Sequence, residues 1–168
     1  MLYLVTFTCY GSHLPGDARN SFDHVRRGQR RVLRPNPGLE SYARRVMRQA
    51  EYPLLSCESR ELVRDAIMSV CEFRGWVLYA LHIRTNHVHG IVDAAVSPSR
   101  ILNDWKAYAT RSLRDPGRLH WTHGGSTRTI LTPAGLTRAM HYVVCSQGEQ
   151  METCWSDPRL LRPPLPPP

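Results

Sequence analysis

The sequence predicts an α+β domain: an antiparallel sheet with helices packed mainly on one face. Strand-like and helix-like patterns follow one another in the order β-α-α-β-β-α-β-α. The chain opens at 2–9 with a run rich in β-branched and aromatic residues, which is typical of a strand. Two further apolar runs, 76–83 and 87–94, are separated only by a short turn around Thr85-Asn86, so they predict an antiparallel hairpin.

The first half of the chain joins its strands through a loop and two helices. Residues 10–37 contain several glycines and prolines, and we expect a long, basic, irregular loop there. A helix is predicted at 39–50 and a second at 59–74, with Ser59 as its N-cap. The apolar stripe of the second helix consists of Leu62, Val63, Ile67, Val70 and Cys71.

The second half contributes two more helices and a short strand. Residues 99–114 predict an amphipathic helix, and 127–131 predict a strand. The last helix begins at Pro133, extends to about Ser146 and has Thr132 as its N-cap. The core-facing positions of the amphipathic helix are Ile101, Leu102, Trp105, Tyr108 and Leu113.

Length and composition predict a single domain at 1–155, followed by a proline-rich tail at 156–168 that we expect to be disordered. The sequence has no apolar stretch long enough to span a membrane, and its N-terminus lacks the basic region of a signal peptide. The five cysteines form no CxxC pair. These features predict reduced thiols and a cytoplasmic protein.

The charge of the chain points to a polyanionic partner. Lysine and arginine number 22 against 14 acidic residues, which gives a net charge of +8, and Lys106 is the only lysine. Residues 19–48 hold nine arginines and two acids, so most of the excess lies there. Arginine pairs with phosphate through two-point contacts. We therefore expect this segment to bind nucleic acid. The residues expected to contact phosphates are Arg26, Arg27, Arg30 and Arg31.

Two histidines open the strand predicted at 87–94. Side chains two residues apart in a strand point to the same face, so His87 and His89 lie side by side while Val88 faces the core. Adjacent imidazoles are a partial site for a divalent metal ion. Two strand histidines with ordinary hydrogen-bond partners are the alternative, but an otherwise apolar strand favours the metal site.

Several segments, taken in order, resemble one family of DNA enzymes. The chain resembles the HUH-type single-tyrosine transposases of bacterial insertion sequences and of the REP-associated group. The resemblance runs from the first strand to the last helix and leaves out the proline-rich tail. The segments that carry it are FTCYGSHLPGDARNS, RGWVLYALHIRTNHVHGIVDA, NDWKAYATRSL, HWTHGGSTRTI and LTRAMHYVVCSQGEQ.

This resemblance implies a ferredoxin-like or RRM-like HUH nuclease fold and a mechanism for DNA transposition and recombination. His87 and His89 would bind Mg²⁺ or Mn²⁺, and Tyr142 would cut single-stranded DNA through a covalent 5′-phosphotyrosine. A free phenol is protonated at neutral pH and is a weak nucleophile, which is why a metal ion on the phosphate helps. Without the resemblance, Tyr142 reads as an ordinary residue of an amphipathic helix.

The third metal ligand departs from the family pattern. The family carries a Gln or Asn about four residues after the tyrosine, whereas this chain has Ser146 there and Gln147 one residue later. In a continuous helix, five residues turn about 140° away from the tyrosine. We expect Gln147 to be the ligand if the helix is irregular, with Glu149 as the alternative. Lys106 matches a lysine of the family and is expected to contact a DNA phosphate or to stabilise the transferring phosphate, with a solvent-facing helix lysine as the alternative.

The expected activity is metal-dependent cleavage and joining of single-stranded DNA. The expected substrate carries a hairpin, and the protein is expected to be nucleoid-associated and either a monomer or a homodimer. The alternative is a domesticated regulator that binds hairpin DNA without cutting it. A metal hydrolase unrelated to DNA is disfavoured by the basic segment, and no RNA-binding signature is present. The histidine pair and Tyr142 favour the enzyme, because a pure binding protein needs none of them.

Overall fold

A five-stranded antiparallel sheet forms the centre of the fold, as the sequence predicts. The computed structural model describes residues 1–18, 21–26, 29–47, 54–115, 118, 120–148, 151 and 153–157, the side chains of 21–32 excepted. The strand order is β6-β1-β5-β4-β7, so the strand with both histidines is the middle one. In chain order the elements are β1 (Leu2–Thr8), β2 (Ser21–Arg26), β3 (Gln29–Leu33), α1 (Pro37–Arg45), α2 (Cys57–Arg74), β4 (Val77–Ile83), β5 (His87–Asp93), α3 (Pro98–Ser112), β6 (Ser126–Ile130), α4 (Pro133–Cys145) and β7 (Cys154–Ser156).

Helices cover both faces of the sheet. The larger core lies between the sheet and α2 and α3, with Val63, Ile67 and Trp105 among its fully buried members. The smaller core lies on the other face, where Met140 and Val143 of α4 pack against Ile91 of β5. Among the described helices, α2 and α3 thus share one face of the sheet, and α4 packs on the other face, on which the odd-numbered residues of β5 lie.

Capping residues set the helix boundaries. The α2 helix begins two residues before the predicted start, because Ser56 rather than Ser59 caps it through the Ser59 backbone N–H. Leu62 is 39 % exposed, so its predicted core position is wrong. The predicted cap of α4 is confirmed: Thr132 Oγ1 accepts a hydrogen bond from the Gly135 N–H at 3.0 Å. The α1 helix spans Pro37–Arg45 with Asn36 as its cap, and so begins before the predicted 39 and ends earlier than 50.

Three strands were not predicted. The stretch expected to be an irregular loop contains β2 and β3, which form a separate antiparallel two-stranded sheet. The last strand, β7, pairs with β4 through Ser156, and the Asp157 N–H donates to the Tyr79 carbonyl at 3.0 Å. Strand β7 therefore ends one residue past the predicted domain boundary at 155, and the part of the predicted proline-rich tail from 158 to 168 lies outside the described residues. No helix in the described part of the chain is long and apolar enough to cross a bilayer.

Close packing on the α3 face holds the histidine strand in place. A Cβ atom added at Gly90 would lie 2.7 Å from the Trp105 ring, which is nearer than side-chain carbons pack. Trp105 is fully buried and occupies the space that a side chain at position 90 would need. Gly90 thus allows α3 to pack directly under the strand that carries His87 and His89 on its other face.

Candidate functional site: a histidine pair facing a helical tyrosine

His87 and His89 lie on the face of β5 that α4 covers. Val88, between them, is fully buried in the core on the opposite face, as the alternation of strand residues predicts. The two imidazole rings are 4.7 Å apart, centroid to centroid. Strand geometry therefore brings four ring nitrogen atoms into one small region of the sheet.

Each imidazole is held through its Nδ1 atom. His87 Nδ1 lies 2.6 Å from Asn86 Oδ1, and because an amide oxygen only accepts, Nδ1 is the donor of this hydrogen bond. His89 Nδ1 lies 2.8 Å from Thr6 Oγ1 on the neighbouring strand. Hydrogen bonds of this kind orient metal-binding histidines and leave Nε2 as the coordinating atom.

The tyrosine predicted as nucleophile lies next to this pair. The Tyr142 ring packs edge-on against the His89 ring with 5.2 Å between centroids, and the side chain is 42 % exposed. Its helix turns one face into the smaller core, where Val143 is fully buried. Tyr142 thus belongs to a packed helix, touches a histidine and remains open to solvent.

Gln147 joins the same cluster because α4 stops before it. The helix ends at Cys145 with Ser146 as its C-cap, so the angular argument for a continuous helix does not apply to position 147. The Gln147 Nε2 atom donates to the Tyr142 carbonyl oxygen at 2.9 Å. The same side chain hydrogen bonds to the His89 imidazole. Gln147 therefore lies beside both the histidine pair and the tyrosine.

His82 is a third histidine at the site. It is the direct partner of His89 in the β4–β5 register and is fully buried. Its Nδ1 donates to the Val143 carbonyl oxygen at 2.9 Å, and its Nε2 has no hydrogen-bond partner among the described residues. His82 thus connects the sheet to α4 at the residue that follows Tyr142.

Burial favours the neutral form of His89 and of His82. Desolvation lowers the pKa of the His89 imidazole to about 3, and electrostatic repulsion from the neighbouring His87 ring lowers it further, whereas the hydrogen bond to Gln147 opposes the shift. Desolvation also lowers the pKa of His82. A neutral imidazole is the form that binds metal ions, so no proton has to be displaced from His89 at neutral pH.

The donors present fit a divalent cation. The site offers the imidazoles of His87 and His89 together with the carboxamide of Gln147, a mixed nitrogen and oxygen set that suits Mn²⁺ better than Mg²⁺. Within the described residues no three His, Cys, Asp or Glu side chains gather into a metal-binding group. Glu149, the alternative ligand, lies outside the described residues.

Lys106 lies on the other side of the sheet. Its Nζ atom donates to the Thr122 carbonyl oxygen at 2.6 Å and also to that of Gly124, and it is 5.6 Å from the centre of the Phe7 ring in the larger core. Burial lowers the pKa of Lys106 to about 8, while the two carbonyl groups and the ring favour the ammonium form. The structure therefore does not bring Lys106 to the histidines, and its present contacts connect α3 to the segment before β6.

The predicted phosphate-binding arginines lie largely outside the described residues. Arg27 is one of the residues not described, and of Arg26, Arg30 and Arg31 only the backbone is described, in β2 and β3. Sequence reasoning also missed three residues that support the site: Thr6, Asn86 and His82. Strand pairing gives the signal for Thr6 and His82, because each lies directly opposite His89 on a neighbouring strand.

Comparison with known proteins shows the fold. No family model matches the chain, and no curated protein matches it. Among solved structures, the chain is similar to a REP-associated tyrosine transposase bound to a REP hairpin, with a TM-score of 0.53 and 12 % sequence identity. The match covers 86 % of this chain and 65 % of that one, so this chain spans less than two thirds of its neighbour's length. The α+β architecture predicted from the sequence is thereby confirmed, and it is distantly similar to that of a tyrosine transposase.

Proposed function

We propose that this protein is a metal-dependent single-stranded DNA endonuclease and strand transferase that acts through a 5′-phosphotyrosine on Tyr142. The observation that carries the proposal is the contact between the Tyr142 ring and His89, 5.2 Å between centroids, beside His87 and Gln147. A tyrosine that is open to solvent and adjacent to a pair of histidines has the components for phosphoryl transfer. The similarity of the fold to that of a tyrosine transposase supports the same reaction class.

The proposed reaction exchanges one phosphodiester bond for another. The Tyr142 hydroxyl oxygen attacks the scissile phosphorus, and the bond from phosphorus to the 3′ oxygen breaks. The phenol loses its proton to solvent, and the departing 3′ oxygen takes up a proton from solvent to become a 3′-hydroxyl. A Mg²⁺ or Mn²⁺ ion bound at the site would neutralise negative charge on the phosphate oxygens. Because the phosphotyrosine retains the energy of the original bond, a 3′-hydroxyl can reverse the reaction on the same or another strand.

The chain's own residues position the reacting groups. Asn86 and Thr6 hold the imidazoles through Nδ1, which leaves Nε2 of each ring as the atom that would bind a metal ion. Gln147 would be the third protein ligand, because its carboxamide lies against His89. Its Nε2 donates a hydrogen bond to the Tyr142 carbonyl oxygen. This last bond links the amide to the tyrosine, so ligand and nucleophile keep a fixed relation at the end of α4.

The proposed substrate is single-stranded DNA with a hairpin. The neighbouring structure is a transposase bound to a REP hairpin. In this chain the arginine-rich segment 19–48 includes the β2–β3 sheet, which is separate from the main sheet and so provides a second surface for a DNA stem. We expect the variant with Arg26, Arg27, Arg30 and Arg31 all changed to Ser to bind a hairpin more weakly, with a flatter dependence on salt.

A covalent-capture experiment tests the proposed chemistry. The substrate is a pool of oligonucleotides that share one hairpin and carry random flanks, labelled at the 3′ end. With Mn²⁺ or Mg²⁺, the label should migrate with the protein on a denaturing gel, and mass spectrometry should place the nucleotide on the peptide containing AMHYVVCSQGEQ. Tyr142→Phe should abolish the adduct, whereas Tyr108→Phe, on the opposite face of the sheet, should leave it intact.

The controls separate this enzyme from a non-cutting regulator. Tyr142→Phe removes only the hydroxyl, so hairpin binding should persist while cleavage is lost. Hairpin binding without an adduct in the wild-type protein, under every metal condition, would support the regulator instead. An adduct on a different tyrosine, or full cleavage by Tyr142→Phe, would contradict the assigned nucleophile.

A further inference from the structure

A groove runs along the sheet edge beside the proposed nucleophile. It lies between α4 and the two strands β1 and β6, has a volume of about 610 Å³, and includes Tyr142 in its lining. Its apolar lining residues include Leu4, Ile130 and Ala139. The volume is within the range of about 300–1,000 Å³ typical of ligand sites, which suits a few nucleotides of one strand and not a duplex.

Two arginines stand on opposite walls of this groove. Arg128 is directly opposite Leu4 in the β6–β1 register, and both line the groove on the α4 face. Arg138 is on α4, four residues before Tyr142, so the two side chains are neighbours on one face of the helix. Both arginines are exposed, and neither forms an ion pair with a described residue.

The charge in the groove has one sign. None of its lining residues is acidic, and the N-terminus of α4, where Gly135 also lines the groove, adds partial positive charge. The sequence places most of the excess charge at 19–48, so this pair is a separate cationic site. The guanidinium groups of the groove suit phosphates, and its apolar side chains suit bases, which alternate along a polynucleotide. The same groove is lined by Tyr142.

We propose that this groove binds the single-stranded DNA that flanks the scissile phosphate, with Arg128 and Arg138 on successive phosphates and Leu4, Ile130 and Ala139 against a base or sugar. This inference rests on the proposed function, because it assigns the path by which the strand reaches Tyr142. It gives the two arginines a role in positioning the strand, distinct from the binding of a hairpin stem by the arginine-rich segment.

Binding of short strands tests the groove directly. The probes are a fluorescein-labelled dT octamer and a mixed-sequence octamer, which have no stem, measured by anisotropy on a Tyr142→Phe background that cannot cleave them. Arg128→Ser combined with Arg138→Ser should lower the affinity by about tenfold. Loss of two phosphate contacts should also reduce the slope of log affinity against log salt by about 1.4, at about 0.7 per contact for a single strand.

Matched variants make this result specific. Arg111→Ser removes an exposed arginine from α3, on the opposite face of the sheet, and should leave octamer binding unchanged. Arg128→Lys with Arg138→Lys retains both charges and should keep most of the salt slope. Unchanged octamer affinity and slope in the double Ser variant, with an unchanged melting temperature, would overturn the proposal, and so would tighter binding of a duplex octamer or an RNA octamer.

A cleavage assay with the hairpin pool distinguishes this inference from the proposed function. In the double Ser variant, the adduct at Tyr142 should form more slowly on substrates with long single-stranded flanks, while affinity for an isolated hairpin stem stays the same. Pools with a flank on only the 5′ or only the 3′ side of the hairpin identify which side of the strand enters the groove. If the double Ser variant forms the adduct normally and binds the octamer like the wild type, the groove proposal is rejected and the Tyr142 chemistry stands. If the double Ser variant loses octamer binding but the wild-type protein forms no adduct, the Tyr142 chemistry is rejected and the groove proposal stands.

Discussion

The Thr6 hydroxyl oxygen lies 2.8 Å from Nδ1 of His89, and the two residues are direct partners in the β1–β5 register. Backbone pairing holds the two strands at a fixed relative position, so this hydrogen bond fixes the plane of the His89 imidazole ring. The ring in turn contacts Tyr142 on α4. A threonine near the N-terminus thus sets the orientation of a histidine that is remote in sequence.

Replacing Thr6 by Val should weaken metal binding without disrupting the strand. Valine has the same shape and suits a β-strand, but it leaves Nδ1 of His89 without its partner. Loss of such a supporting contact typically costs about 10–100-fold in metal affinity. Mn²⁺ titration followed by electron paramagnetic resonance measures the change, and Thr6→Ser, which retains the hydroxyl, should restore most of it. Equal affinity in Thr6→Val and wild type would show that the sheet alone orients His89.

Lys106→Met should lower stability and leave DNA affinity unchanged. Methionine keeps the aliphatic length but removes the ammonium that holds the Thr122 and Gly124 carbonyl groups. Loss of hydrogen bonds to a charged group costs about 1–3 kcal/mol. Thermal unfolding should show a melting temperature lower by several degrees, while hairpin affinity measured below that temperature stays constant. The opposite pattern, weaker DNA binding at an unchanged melting temperature, would favour the phosphate contact predicted from the sequence.

The metal-free protein should lose stability as the solution is acidified below about pH 6.5. The His89 pKa is about 3 in the folded chain against 6.5 as its ordinary value, so the unfolded state binds more protons between these limits. Stability is therefore complete above pH 6.5, and it falls as the pH falls toward 3. Between pH 7 and pH 5 this one group contributes a loss of about 2 kcal/mol.

Urea unfolding in the presence of a chelator measures that loss. The control is His89→Gln, which has no group that titrates in this range and should show a smaller decrease between pH 7 and pH 5. The buried His82 remains in both proteins and contributes with the same sign, since its pKa is also lowered. Identical pH dependence in the two proteins would mean that His89 is not the desolvated group.

The central part of the fold was predictable because its patterns are local. The hairpin of β4 and β5 is apolar and closely spaced, and strand alternation places His87 and His89 on one face. The β2–β3 pair was missed because its residues, SFDHVR and QRRVL, mix charged, polar and apolar side chains without the regular alternation of a strand, and because glycines and prolines flank them. The strand β7 has only three residues, and its pairing with β4 is set by tertiary contact.

The candidate site was less predictable because two of its features depend on where an element ends or which face it covers. The sequence predicts the end of α4 at about Ser146, within one residue of the observed Cys145, but it leaves open whether the helix is regular there, and this decides whether Gln147 can reach His89. The sequence also could not assign α3 and α4 to opposite faces of the sheet. Lys106 therefore looked like a residue of the site, although it lies on the face away from Tyr142.

Gln147→Ala should weaken Mn²⁺ binding more than Ser146→Ala does. Gln147 contacts the His89 imidazole, whereas the Ser146 hydroxyl is 3.1 Å from Nδ1 of His141, an exposed histidine of α4. Two histidines alone bind the ion less tightly than two histidines and an amide oxygen, because each protein ligand replaces a water molecule whose orientation is not fixed. We expect a loss of about tenfold or more for Gln147→Ala, by analogy with other perturbations of metal sites.

Manganese titration of both variants, each at the same protein concentration, measures the difference. Gln147→Glu tests the assignment further: an anionic oxygen at the same position should bind Mn²⁺ at least as well as the amide does, because carboxylates are preferred ligands of this ion. The Tyr142 carbonyl would then lose the amide donor at 2.9 Å, so cleavage should fall even where metal affinity is kept. If Gln147→Ala binds Mn²⁺ like the wild type, the third ligand is another group, with Glu149 the next to test.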